Sequence, residues 1–271
     1  MKNKLSLLIL LALALRVNAQ LADSTYTVRN ITQSYQIGIG FTNVLDTYLS
    51  GEKFNGLGFT FLSLREFQKP DARWSTIVQH QAHISRGDDR AENESTLEAS
   101  YNLYLGRYRS WQLFGNSLLL QAGAVANFNA GLIYYIRSIG NNPAQARIAL
   151  NIMPSAIATY QFPFAKKRLS LRYEAELPLF GLMFSPNYGQ SYYEIFSQGN
   201  YDHNIVPTTF VSAPTFRQQF SVRWQTSATT TLSIGYMGDI QQSHVNNLKQ
   251  HVWSNRFMIG IITRFAKVTK K

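Results

Sequence analysis

Three groups of side chains in this chain of 271 residues combine types and spacings that could carry chemistry. The sharpest is Ser243-His244, with Asp239 shortly before it and Asn246-Asn247 just after. A hydroxyl, an imidazole and an acid are the parts of a nucleophilic triad, in which the base activates the hydroxyl and the acid orients the base. At the level of an outer leaflet, such a set is what a lipid A deacylase or phospholipase uses. The order departs from the His-x-Ser-Asn pattern of those hydrolases, because Asn246 stands where the serine belongs. A solvated loop is the default for this stretch.

The second group is charged. Glu174 and Glu176 share one face of a period-two segment, the arrangement of paired general acid and base. Glu98, Arg147, Arg168, Arg172, Arg217 and Arg223 fall on the polar parity of their own segments, so partnered structural carboxylates are the stronger expectation. The third group is aromatic: Tyr188, Tyr192, Tyr193, Tyr201 and His203 crowd the stretch 181–214. Such a surface suits a ligand of the cell exterior, or folds down as a lid. His80 and His83 are three apart, which on a strand puts them on opposite faces, so no metal site is expected. No phosphate-binding glycine loop or other cofactor motif occurs.

The elements that must position these groups are strands. Residues 256–265 alternate Phe257, Ile259, Ile261, Thr263 and Phe265 with Arg256, Met258, Gly260, Ile262 and Arg264. That is a strand with one apolar and one polar-tolerant face, closed by an aromatic residue. Nine earlier segments read the same way, most cleanly 118–130, with Leu118, Leu120, Ala122, Ala124, Ala126, Phe128 and Ala130 on one parity. Pro154 in the sixth segment removes a ladder donor and is expected to mark a bulge. The count is ten strands, or twelve if 132–139 or 201–213 adds a pair.

The connections expected after strands two, four, six and eight are short, at 65–72, 109–116, 163–167 and 227–228. Those after strands one, five and seven are longer, and 181–214 is the longest; 86–93 and 243–249 are exceptions of only moderate length. That asymmetry belongs to transmembrane barrels, with short periplasmic turns and longer outer loops. Aromatics gather at both expected rims: Phe67, Trp74, Tyr108, Trp111, Phe162, Phe164, Trp224 and Phe265 at one, Phe41, Phe54, Phe128, Tyr134, Tyr135, Phe180 and Trp253 at the other. A soluble β-barrel would alternate too, but with its apolar parity inward. The fold class expected is all-β, a single antiparallel transmembrane β-barrel over 34–265.

Lys2 and Lys4 precede an apolar run from Leu5 to Leu15, and Val17-Asn18-Ala19 ends it with small residues, so 1–19 reads as a removable signal peptide. Residues 20–33 read as a periplasmic leader and 266–271 as a basic tail. The chain has no cysteine, which excludes disulfides, thiolate metal sites and a lipidated N-terminal cysteine. Net charge is +11, or +8 without Lys2, Lys4 and Arg16. The basic residues are scattered over strand ends and polar parities, which argues against nucleic acid as a partner.

Asn43-Val44-Leu45-Asp46-Thr47-Tyr48-Leu49-Ser50, followed by a glycine-containing second strand, resembles a family of exported Bacteroidota proteins of unknown function whose members look like small outer-membrane barrels. The resemblance extends to Tyr236-Met237-Gly238-Asp239 and the last strand. It implies an outer-membrane location and no known activity, substrate or catalytic residue. The expected molecule is a non-enzymatic outer-membrane barrel with a side-chain-plugged lumen and structural or ligand-binding outer loops. Its expected partners are outer-membrane lipid and, through the last strand, the barrel-assembly machinery. A lipid hydrolase at Ser243/His244 and a narrow solute channel are the alternatives.

Overall fold

A computed structural model of the chain describes residues 26–136, 143–163 and 168–270. The signal expected at 1–19 and Phe164 lie outside the described residues. Among the described residues there are twelve strands: β1 (Tyr26–Asp46), β2 (Ser50–Gln68), β3 (Trp74–Asp88), β4 (Ser95–Leu113), β5 (Leu118–Tyr135), β6 (Ala144–Gln161), β7 (Leu169–Glu176), β8 (Phe180–Phe184), β9 (Ile205–Thr209), β10 (Phe216–Gln225), β11 (Thr230–Val245) and β12 (Leu248–Lys270). A single helical turn, α1 (Tyr192–Phe196), sits between β8 and β9.

Ten of these strands close a ring. Neighbours run β1-β2-β3-β4-β5-β6-β7-β10-β11-β12, and β12 returns to β1. The hairpin β8–β9 lies outside the ring on the edge of β6, where Ile148–Ile152 pair with Phe180–Phe184. The sixth strand therefore serves β7 along one half and β8 along the other. Ser155 pairs with Glu176, but Ile152 pairs with Phe180, so one extra residue is held in 177–179. The bulge expected at Pro154 is thus on the partner, at Leu177-Pro178-Leu179; the ladder from β6 to β5 passes Pro154 without a shift. A proline without an N–H is harmless there, because its carbonyl still accepts from Leu177.

The parity resolves the choice between a soluble and a membrane barrel. Tyr35, Ile37, Ile39, Leu57, Phe59, Phe61, Ile84, Leu105, Ile234, Phe257, Ile259 and Ile261 are exposed, while Gln36, Thr60, Gln81, Glu98, Asn127, Ser221 and Arg256 are buried. The apolar faces point out and the polar faces point in. On β4 the outward apolar run lasts from Leu97 to Leu105 and stops at Arg107. Eight residue steps on a strand tilted by about 40° give a belt about 20 Å tall, close to the ~25 Å of outer-membrane barrels. At its lower edge the guanidinium carbons of Arg107 and Arg109 lie 5.5 Å from the ring centroids of Trp74 and Trp111. Cations on amphipathic rings mark the interface with polar headgroups. Tyr108, Phe54 and Tyr135, placed at the rims by sequence, are instead buried inside.

Strand ends differ from expectation in ways that tighten the molecule. The first strand begins at Tyr26, inside the stretch read as leader, and the last continues to Lys270 through the stretch read as tail. The connection after strand one is tight rather than long, with Thr47–Leu49 joining β1 to β2, and the last one, expected at moderate length, is Asn246-Asn247 alone between β11 and β12. Both asparagines have positive φ, 51° and 60°, as a two-residue type I′ hairpin requires. The strands themselves rise past the apolar belt at this end, as with polar Asn43 beyond Phe41 and Arg86 beyond Ile84.

Candidate functional site: the filled lumen and the outer crown

Inward parity places charges from six strands in one cross-section. Arg217 on β10 pairs in register with Glu176 of β7 on one side and Asp239 of β11 on the other. Its Nη1 donates to Glu174 and Glu176, each at 3.2 Å, and its Nε donates to Gln81 at 3.0 Å. The guanidinium also lies 4.9 Å from the Tyr104 ring centroid. Arg172 donates to the other oxygen of Glu174 at 2.9 Å. Higher in the barrel, Arg147 donates to Glu98 at 2.9 Å, and the second Glu98 oxygen lies 3.0 Å from His83 Nε2.

Two amides join these clusters. Arg147 donates to Gln241 at 2.6 Å, Gln241 donates to Asp239 at 3.0 Å, and Gln81 donates to the same Asp239 oxygen at 2.8 Å. A continuous path therefore links Glu98 to Glu176 across the barrel. Arg256 has no exposed side-chain surface; it donates to Thr42 and Ser254 and faces the His83 ring. Gly58 makes room for it, since a Cβ there would come within 2.5 Å of Arg256 Nη2. Within this network four acids (Glu98, Glu174, Glu176, Asp239) balance four arginines (Arg147, Arg172, Arg217, Arg256), while a fifth buried acid, Asp46 at the loop end, accepts from Gln250 and the Tyr48 N–H.

Apolar groups fill the rest of the bore. Val44, Phe54, Ile133, Tyr135 and Val252 pack at the loop end. Leu62, Leu64, Ile77, Tyr108, Val125, Met153 and Ile157 pack nearer the short turns. A ten-strand ring encloses little more than its own side chains, and here they occupy it. A space of about 60 Å³ remains beside Asn102, Asp239 and Gln241.

Several expected residues fall elsewhere. Arg168 is in the β6–β7 turn and exposed, outside the network. Arg223 lies at the short-turn mouth, where its Nε donates to Ser221 at 3.3 Å rather than to an acid. Ser243 and His244 are not in a loop but in the β11–β12 ladder, opposite Gln250 and Lys249. Successive strand residues point to opposite faces, so this serine and histidine diverge. Asp239, four residues away along the strand, is engaged by Gln81 and Gln241. The structure does not assemble a triad from them. His80 faces out and is bonded to Tyr101 at 2.7 Å, while His83 faces in. His83, Arg256 and the two bridging glutamines stand outside the charged group expected from sequence, although each lies on the polar parity of its strand, and parity itself points Arg256 to the lumen or rims.

The stretch 181–214 is built rather than loose. Ser191 caps α1, accepting from the Glu194 N–H while Glu194 accepts from the Ser191 N–H. Those bonds hold the Glu194 carboxyl below its ordinary range. Tyr192 stacks on Phe196 with centroids 5.9 Å apart, donates to Gln145 at 2.8 Å and accepts from the Ala146 N–H at 2.7 Å. Burial pushes its phenol up, so it stays a neutral strut. Asn246 of the hairpin turn donates to the carbonyls of Ser185 and His203 at 3.1 and 3.0 Å, tying this crown to the barrel. Of the binding candidates, Tyr192 is thus structural, while Tyr188, Tyr193, Tyr201 and His203 are exposed.

No curated protein matches the chain. Among solved structures it resembles the outer membrane protease OmpT from Escherichia coli (8% identity, 91% of this chain, 99% of that chain, TM-score 0.49). It also resembles the transport unit of the autotransporter AIDA-I from Escherichia coli (9% identity, 96% and 97%, TM-score 0.42). A third is the translocator domain of the autotransporter NalP from Neisseria meningitidis (12% identity, 97% and 95%, TM-score 0.38). A family model matches residues 5–271, and the chain belongs to that family, described as protein of unknown function (DUF3316).

Proposed function

We propose that this chain is an outer-membrane anchor: a non-conducting, non-enzymatic barrel that holds its crown at the cell surface. The observation that carries the reading is the filled bore, with four acids and four arginines joined in one hydrogen-bonded network among apolar layers. A barrel built for solute passage keeps a hydrated path, and one built for catalysis leaves a reactive group free. Export by a signal in residues 1–19, origin in Bacteroidota, lipid around the apolar belt and recognition of the last strand by assembly machinery complete the reading. The crown's exposed Tyr188, Tyr193 and Tyr201 are the surface through which it meets an extracellular ligand.

Reconstitution into planar bilayers tests the anchor. The expected record is electrically silent, and stable unit conductance would overturn the plugged bore in favour of a narrow channel. Fractionation with unboiled gel mobility tests the location: an outer-membrane band that shifts on heating is expected, and a soluble, heat-indifferent protein would remove the reading.

A further inference from the structure

Beneath the balanced network, at the mouth between the short turns, the barrel opens into a cavity of about 790 Å³. Arg172, Arg223 and Arg264 line it, with Arg73 at its edge. The ladders show how differently its arginines are served. Arg217, deep in the bore, has an acid beside it in both neighbouring strands, Glu176 and Asp239. Arg223 has Ser170 on one side and Ser233 on the other. Its Nε reaches only the Ser221 hydroxyl, and among the described residues neither Arg223 nor Arg264 forms an ion pair.

Arg172 sits diagonally above Arg223, two residues beyond Ser170, and lends its charge from behind while held by Glu174. Glu66, an acid on the same wall, already accepts from Gln121 at 2.8 Å. The result is a recess lined by five cations, Lys69 and Arg73 among them, against two acids, Glu66 and Asp71, with serines beside Arg223 on both neighbouring strands. A concave site of one sign concentrates counter-ions, and guanidinium forks match the oxygens of phosphate.

We propose that this recess binds a phosphate group, with Arg223 and Arg264 as its ligands and Arg172 as the charge behind them. The assignment that the mouth faces the periplasm rests on the outer-membrane reading; the binding itself does not. The group can be free phosphate or a lipid headgroup, and both present the same oxygens.

The test uses the full mature chain in an uncharged maltoside detergent, titrated with inorganic phosphate and followed by calorimetry and ³¹P line broadening. Wild-type protein is expected to bind, and R223Q to bind about tenfold more weakly or worse, as loss of a charge-assisted hydrogen bond implies. R223K should retain more than R223Q, and R86Q, at the opposite end, should match wild type. R264Q, at an exposed position, serves if R223Q does not show the folded mobility. Titration in phosphatidylglycerol and phosphatidylcholine nanodiscs separates the sources. Suppression by phosphatidylglycerol assigns the recess to a headgroup, and equal binding assigns it to a soluble anion. No binding by wild type, or unchanged binding by R223Q and R264Q, would overturn the proposal, whatever the bilayer recordings show of the bore.

Discussion

Arg217 is 1% exposed and touches two glutamates, a glutamine and a tyrosine ring. Removing it leaves Glu176 buried without a cation and Glu174 with Arg172 alone, so R217A should cost about 3–5 kcal/mol, read as the shift of the urea midpoint in lipid. A much smaller loss would mean that water already enters the bore. Ser243 and His244 give the opposite expectation. They diverge across a strand, so S243A and H244A should leave lipid release from phospholipid vesicles at the level of protein-free controls, as wild type does. Release that depends on either residue would restore the hydrolase.

At the scale of elements, the turns and the crown carry the sharpest tests. Asn246 and Asn247 both sit at positive φ, where a β-branched side chain clashes with its own carbonyl, so N247V should cost about 1–2 kcal/mol and slow refolding of the last hairpin. In α1 the Glu194 carboxyl is held low by its bonds to Ser191. A depressed value means that the folded crown favours the charged form. Its contribution is then present above the ordinary carboxylate value of about 4.3 and lost as pH falls through the lower folded one. Proteolysis within 186–204 should therefore rise only below about pH 4, and S191A should raise it at neutral pH and flatten that dependence. Protection that is insensitive to both would show that the cap does not hold the crown.

For the whole molecule, inside and outside are inverted relative to a soluble barrel, and charge should report that inversion. I259R places a charge on the lipid face near mid-belt and should destabilise by about 2–4 kcal/mol in bilayers. Moving the same charge to the rim, as T263R, should cost about 1 kcal/mol or less. Equal costs at both depths would argue against an apolar slab around the belt.

Strand parity, the ten-strand count and the outward apolar face were legible along the chain because they are local. Alternation at 118–130 or 256–265 needs no partner to be seen, and an aliphatic parity of that length has few places to go other than lipid. What the chain could not display alone was who meets whom across the bore. Arg217 and Arg223 are six residues apart on one strand and look alike in sequence, yet pairing with β7 and β11 gives one an acid on each side and the other a serine on each side. Contacts across the bore made Asp239, the acid of the alternative triad, the centre of a buried amide bridge. Strand pairing likewise set the place of the bulge, expected at Pro154 and found across the ladder at Pro178. Periodicity is written in single strands, whereas pairing is a property of register between them. Register is set by what each strand meets on either side.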